Sequence, residues 1–198
     1  MDSRNTSRSD HAFLSPSKFH WIRYDKEKLV KAFYNYLAVE KGTRLHAVAA
    51  ELIDLKRMQP KNDDTFNMYV NDAIKFKMEP EKKLWFSENL FGTADALSFT
   101  PESRGRRALL RIHDLKTGTT PAHMEQLMLY AGLYCLVKHL DPFDIDFELR
   151  LYQSNEIKIA NPDSSEISDL IGVMLEADRV VSEIRAQENG YVYWYSWT

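Results

Sequence analysis

Leu84-Trp85-Phe86-Ser87-Glu88-Asn89-Leu90-Phe91-Gly92-Thr93-Ala94-Asp95-Ala96-Leu97-Ser98-Phe99, a polar interval with Pro101 and Gly105, and then Ala108-Leu109-Leu110-Arg111-Ile112-His113-Asp114-Leu115-Lys116 decide the fold. Both apolar stretches are rich in aliphatic and aromatic residues, which predicts strands, and the polar interval joins them as an antiparallel hairpin. Alternation along the second strand puts Leu110, Ile112 and Asp114 on one face, with Lys116 following. An acid and a lysine thus end an otherwise apolar face.

Upstream, Leu29, Ala32, Phe33, Tyr36 and Leu37 recur at helical spacing, with Asp25 as N-cap. Gly42-Thr43 is expected to interrupt this helix, and a second begins there with Thr43 as N-cap and Leu45, Val48, Ala49 and Leu52 as its stripe. A third, capped by Asp63 or Asp64, runs through Phe76. Downstream, Pro121 opens a helix to about Leu140, Ile145 to Tyr152 reads as a strand, and Ser164 or Ser165 caps a long last helix. The uncharged tail Tyr191–Trp197 is expected as a strand or as packing against a partner. Helices around strands make the expected class α/β, with a mixed central sheet flanked by helices. Residues 1–13 read as a flexible arm and residues 14–198 as one domain with a C-terminal helix and aromatic tail.

The chain has 198 residues, 44% hydrophobic, with 26 Lys+Arg against 29 Asp+Glu. That suffices for one well-cored domain and excludes a disordered chain. A single cysteine, Cys135, excludes an internal disulfide and an iron–sulfur cluster, and points to a reducing, cytoplasmic compartment. The polar N-terminus and the lack of a long apolar run predict no targeting segment and no membrane partner. No Gly-rich phosphate loop and no GxGxxG fingerprint occur, which argues against ATP-driven and dinucleotide chemistry. The charge is unevenly spread: residues 1–140 carry 22 bases and 17 acids, residues 141–198 only 4 bases and 12 acids.

Two carboxylates converging across a hairpin are hard oxygen ligands suited to Mg²⁺ or Mn²⁺, and a neighbouring lysine can touch a phosphate or a water. The acid-x-lysine pattern alone is weak, because Asp54-Leu55-Lys56, Glu81-Lys82-Lys83 and Glu156-Ile157-Lys158 also match. The first sits at a helix end and the second in a charged turn, both solvated. The third is a strand candidate with Asp144 and Asp146 upstream, yet no helix with polar residues aimed back follows it. Only Asp114-Leu115-Lys116 follows a Gly-x-x-Asp strand and precedes a helix with Gln126 and Tyr130 four apart, on one face.

With Gly42-Thr43-Arg44-Leu45-His46, Gly92-Thr93-Ala94-Asp95, Asp114-Leu115-Lys116 and Gln126-Leu127-Met128-Leu129-Tyr130 in this order, the chain resembles the PD-(D/E)XK nuclease superfamily. It is most similar to the RecB-like exonuclease branch, which includes CRISPR-associated RecB-like exonucleases and phage recombination nucleases. Leu14-Ser15-Pro16-Ser17-Lys18 is similar to the start of phage members. The resemblance covers roughly residues 14–152. It implies a restriction-endonuclease-like core, a metal-dependent DNA exonuclease of recombination or repair, and a phage origin that would place it in the host cytoplasm. His46, Asp95, Asp114 and the Leu115 carbonyl would hold Mg²⁺ or Mn²⁺, Lys116 would position a water or stabilise the transition state, and Gln126 and Tyr130 would orient Lys116 or touch DNA. The implied partners are DNA, a single-strand annealing or other recombination protein, and further copies of the chain, since a processive exonuclease without a motor needs a ring or clamp. The alternatives are a non-catalytic nuclease-fold module that binds DNA or protein, and a structure-selective endonuclease.

Arg104, Arg106, Arg107 and Arg111 lie on or beside the hairpin loop and are candidate phosphate contacts; a solvated turn is the plainer reading. Glu51 is a second acid on the helix of His46, five residues on and off its face, and an ion pair with Arg44 accounts for it. His113 points away from Asp114, which suits a structural role or a DNA contact, and Cys135 reads as a buried core thiol.

Overall fold

The computed structural model describes residues 12–103, 105–118 and 120–195. The chain divides into two compact units, one ending at Leu45 and one starting at His46. The division falls inside a helix, and the arm expected over residues 1–13 lies, up to residue 11, outside the described residues.

In the first unit a short helical segment, Pro16–Arg23, precedes α1, Lys26–Asp54, which runs through the division. Asp25 caps α1 as expected, its Oδ1 accepting from the Lys28 amide at 2.7 Å. Phe13 packs against Phe33 and Tyr36, with ring centroids 5.1 and 5.5 Å away. The helix does not break at Gly42-Thr43. One interior glycine costs only about 1 kcal/mol, and the Thr43 hydroxyl, instead of capping a new helix, donates back to the Val39 carbonyl at 3.1 Å.

The second unit holds a five-stranded sheet in the order β1-β2-β3-β4-β5: Glu79–Trp85, Phe91–Thr100, Ala108–Leu115, Ile145–Gln153 and Glu156–Ala160. Only the β3–β4 pair is parallel, so the sheet is mixed. Parallel neighbours need a crossover, and α3, Glu125–Lys138, supplies it. On one face α3 and α4, Ser164–Tyr195, bury Leu97, Leu110, Ile112, Leu127, Leu149 and Ile167. On the other, α2, Thr65–Lys75, and the end of α1 bury Ala49, Ile53, Tyr69, Val70, Leu115 and Tyr152. The chain is therefore an α/β protein with helices on both sheet faces. No helix among the described residues is long and apolar enough to cross a membrane.

Four expectations are corrected. The stretch Leu84–Phe99 is not one strand: β1, Glu79–Trp85, ends at Trp85, and Glu81–Lys83, read as a charged turn, lies inside it. It is a sheet edge, where Pro80 and lysines are tolerated and mask the pattern. The helix after the hairpin starts at Glu125 rather than Pro121, because the Gln153 side chain holds the preceding loop. Its amide nitrogen donates to the Gly118 and Thr120 carbonyls at 2.7 and 2.8 Å, and its Oε1 accepts from the Ala122 amide at 3.2 Å. The last helix begins one residue earlier than a Ser164 cap implies. Asp163 stands at the cap and its amide donates to Glu166 at 2.8 Å. The tail is not a strand over the described residues, because α4 continues through Tyr195; residues 196–198 lie outside the described residues.

Candidate active site

β2 and β3 carry the expected acids to one place. Ala96 pairs with His113, so the next step in the register sets Asp95 across from Asp114. Asp95 Oδ2 accepts from the Leu115 amide at 2.9 Å, which fixes the carboxylate against the strand carrying the second acid. His46, near the end of α1, brings Nδ1 to 3.3 Å from the same oxygen. That contact raises the His46 pKa, partly offset by burial.

Asp114 is only 4% exposed. Lys116 Nζ donates to its Oδ1 at 3.0 Å and to Gln126 Oε1 at 2.8 Å. The ammonium also lies 2.9 Å from Oδ2, but that buried oxygen accepts no hydrogen bond. Burial, and then the Asp95 charge, raise the Asp114 pKa, with Lys116 pulling against them. The ammonium offsets the burial of that oxygen by charge, while its lone pairs stay open to a further donor or ion.

Tyr130, one turn along α3 from Gln126, lies over Gly92. A Cβ at residue 92 would stand 2.9 Å from Tyr130 Cε1 and 3.2 Å from its hydroxyl, which is why the first residue of Gly92-Thr93-Ala94-Asp95 carries no side chain. Gly92→Ala is expected to destabilise the fold by about 1–3 kcal/mol through this clash. Thermal melting should show that loss largely absent when Tyr130→Ala is already in place.

One acid absent from the expected set joins the site. Pro80 pairs with Ala96 and Lys82 with Ala94, so Glu81 stands across from Asp95. His46, Glu81 and Asp95 each offer a ligand atom, and these lie within 4.8 Å of one another. The sequence places Glu81 with Lys82 and Lys83 in a solvated turn. The only hint in the sequence was its acid-x-lysine pattern, which pointed to the wrong lysine.

Other candidates lie elsewhere. Glu51 is exposed and is not the partner of Arg44, which pairs with Glu40 at 3.1 Å; residues four apart on a helix meet more readily than residues seven apart. Arg104 lies outside the described residues. Arg106 is exposed in the β2–β3 loop, and that loop is at the far end of the hairpin from Asp114, six residues of strand or about 20 Å away. Arg107 binds the Asp146 carboxylate at 3.2 Å and the Phe143 and Ile145 carbonyls, and Arg111 binds Glu148 at 3.0 Å. Both guanidiniums are thus engaged within the fold. Sharing a hairpin with the acids does not bring these arginines to them.

His113 is structural, as its alternation suggested. It is fully buried, with Nδ1 3.2 Å from the Tyr152 hydroxyl. That hydroxyl donates to Asp72 at 2.8 Å, so His113 supplies the proton of its own contact from Nδ1. Its Nε2 is buried without a partner. Cys135 is a buried core thiol, its pKa pushed up to about 12 by burial.

Comparison with family models, with curated proteins and with solved structures gives no match. The site has to be read from its own chemistry.

Proposed function

We propose that the chain is a Mg²⁺- or Mn²⁺-dependent deoxyribonuclease of the RecB-like branch of the PD-(D/E)XK superfamily, on a restriction-endonuclease-like core, acting from DNA ends in recombination or repair. The observation that carries this reading is that His46 touches Asp95 while Lys116 touches Asp114 and Gln126, with Asp95 set across from Asp114 in the hairpin.

The donor set suits a hard divalent cation. Glu81, Asp95 and Asp114 bring three carboxylates against the Lys116 ammonium and the His46 imidazole, and one Asp114 oxygen is buried without a hydrogen bond. His46, Asp95, Asp114 and the Leu115 carbonyl would hold the ion. When bound, such an ion offsets phosphate charge and lowers the pKa of water. The remaining work falls to the chain. Lys116 has three N–H donors, and those to Asp114 and Gln126 use two. The third is available for a phosphate oxygen or an incoming water, and the two fixed acceptors keep it aimed without reorganisation during the reaction. Tyr130, set against Gly92, closes the neighbouring wall.

Digestion of end-labelled single- and double-stranded DNA with Mg²⁺ or Mn²⁺ tests the activity and reports polarity; closed circular DNA should resist an enzyme that needs an end. Mn²⁺ is also expected to raise the melting temperature, by the equivalent of about 2.7 kcal/mol at a hundredfold excess over Kd. An unchanged melting curve at millimolar Mn²⁺ would favour a binding module without catalysis.

A further inference from the structure

We infer that Glu81 is itself a metal ligand, joining His46 and Asp95 at the cation site. The inference rests on the metal-site reading above and adds a residue to it. Two observations carry it. The ligand atoms of His46, Glu81 and Asp95 lie within 4.8 Å of one another, close enough for one ion to touch all three. The second observation is the backbone. Glu81 has φ of 47° in the middle of β1, yet the pairs on either side keep one register, so no residue is inserted there. A left-handed, non-glycine residue inside a strand costs on the order of 1–3 kcal/mol and persists where the surroundings gain from it. Here the distortion sits directly across from Asp95, beside His46. One imidazole with two carboxylates suits Mn²⁺ better than Mg²⁺ or Ca²⁺, which prefer all-oxygen shells.

Titration of the metal-free protein with Mn²⁺ by calorimetry, and the visible absorption of bound Co²⁺, test this. Glu81→Gln is expected to weaken Mn²⁺ at least tenfold and to change the Co²⁺ bands, with Glu81→Asp recovering part of the affinity. Glu81→Asn, whose side chain tolerates a left-handed backbone, guards against a folding defect: it should melt no lower than the parent without metal and still lose Mn²⁺. Parent-like Mn²⁺ affinity and Co²⁺ bands in both Glu81→Gln and Glu81→Asn would overturn the inference. DNA digestion by the parent, run in parallel, separates the two claims. A parent that binds Mn²⁺ through Glu81 but cuts no DNA leaves the pocket standing and removes the nuclease reading. A parent that cuts DNA while Glu81→Gln binds Mn²⁺ normally does the reverse.

Discussion

Lys116→Ala is expected to lower the rate of DNA cleavage by about 10²–10⁴-fold, the range typical of losing one aimed charge or proton-handling group. The Mn²⁺-induced rise in melting temperature should survive, because Lys116 contributes no ligand and its removal leaves both Asp114 oxygens free. The two readouts therefore part company in this variant. Asp114→Ala should abolish cleavage as well, with the circular dichroism of the folded protein retained. If both variants cut at the parental rate under Mg²⁺ or Mn²⁺, the site has been assigned to the wrong residues.

Acid should unfold the protein through His113. Burial, and then the nearby Arg150 and Arg111 guanidiniums, lower its pKa from 6.5 to about 3. Charging the ring would also create an N–H at Nε2 where no acceptor stands. The unfolded chain takes up this proton below about pH 6.5 and the folded chain only near pH 3. The unfolded state thus binds more protons between those limits, and stability falls as pH drops through that window. Over its full width the effect is on the order of 5 kcal/mol, comparable with the whole stability of many domains. Asp114 and Glu81, whose pKa values are raised, contribute with the opposite sign, losing stability as pH rises above the usual carboxylate range. Urea unfolding at pH 7.0 and 5.0 should show the acid loss in the parent and a much shallower one in His113→Asn. An equal loss in both would place the acid sensitivity elsewhere.

Where a structural signal is local, it was legible. Asp25 and Asp64 cap their helices because a short acid just before an apolar repeat meets free amides whatever the rest of the chain does. The strands Ala108–Leu115 and Ile145–Gln153 were legible because a central strand is apolar enough to stand out. The misread elements depended on distant partners. β1 is a strand because β2 pairs with it, and α3 starts late because Gln153, on β4, takes up the loop before it. The arginines follow the same rule. Parallel pairing sets Arg111 across from Glu148, and no spacing along the chain reveals that pair.

By itself, the sequence determined that the protein is α/β, that Asp95 and Asp114 share a hairpin, and that His46, Lys116, Gln126 and Tyr130 accompany them in order. Those properties depend on residue type and short-range periodicity. Only the tertiary structure decided that Lys116 is held between Asp114 and Gln126, that Arg107 and Arg111 are engaged by acids on β4, and that Glu81 joins His46 and Asp95. The reason is geometric. Polar contacts act over about 3 Å, and strand register and the crossover of α3 determine which residues come that close.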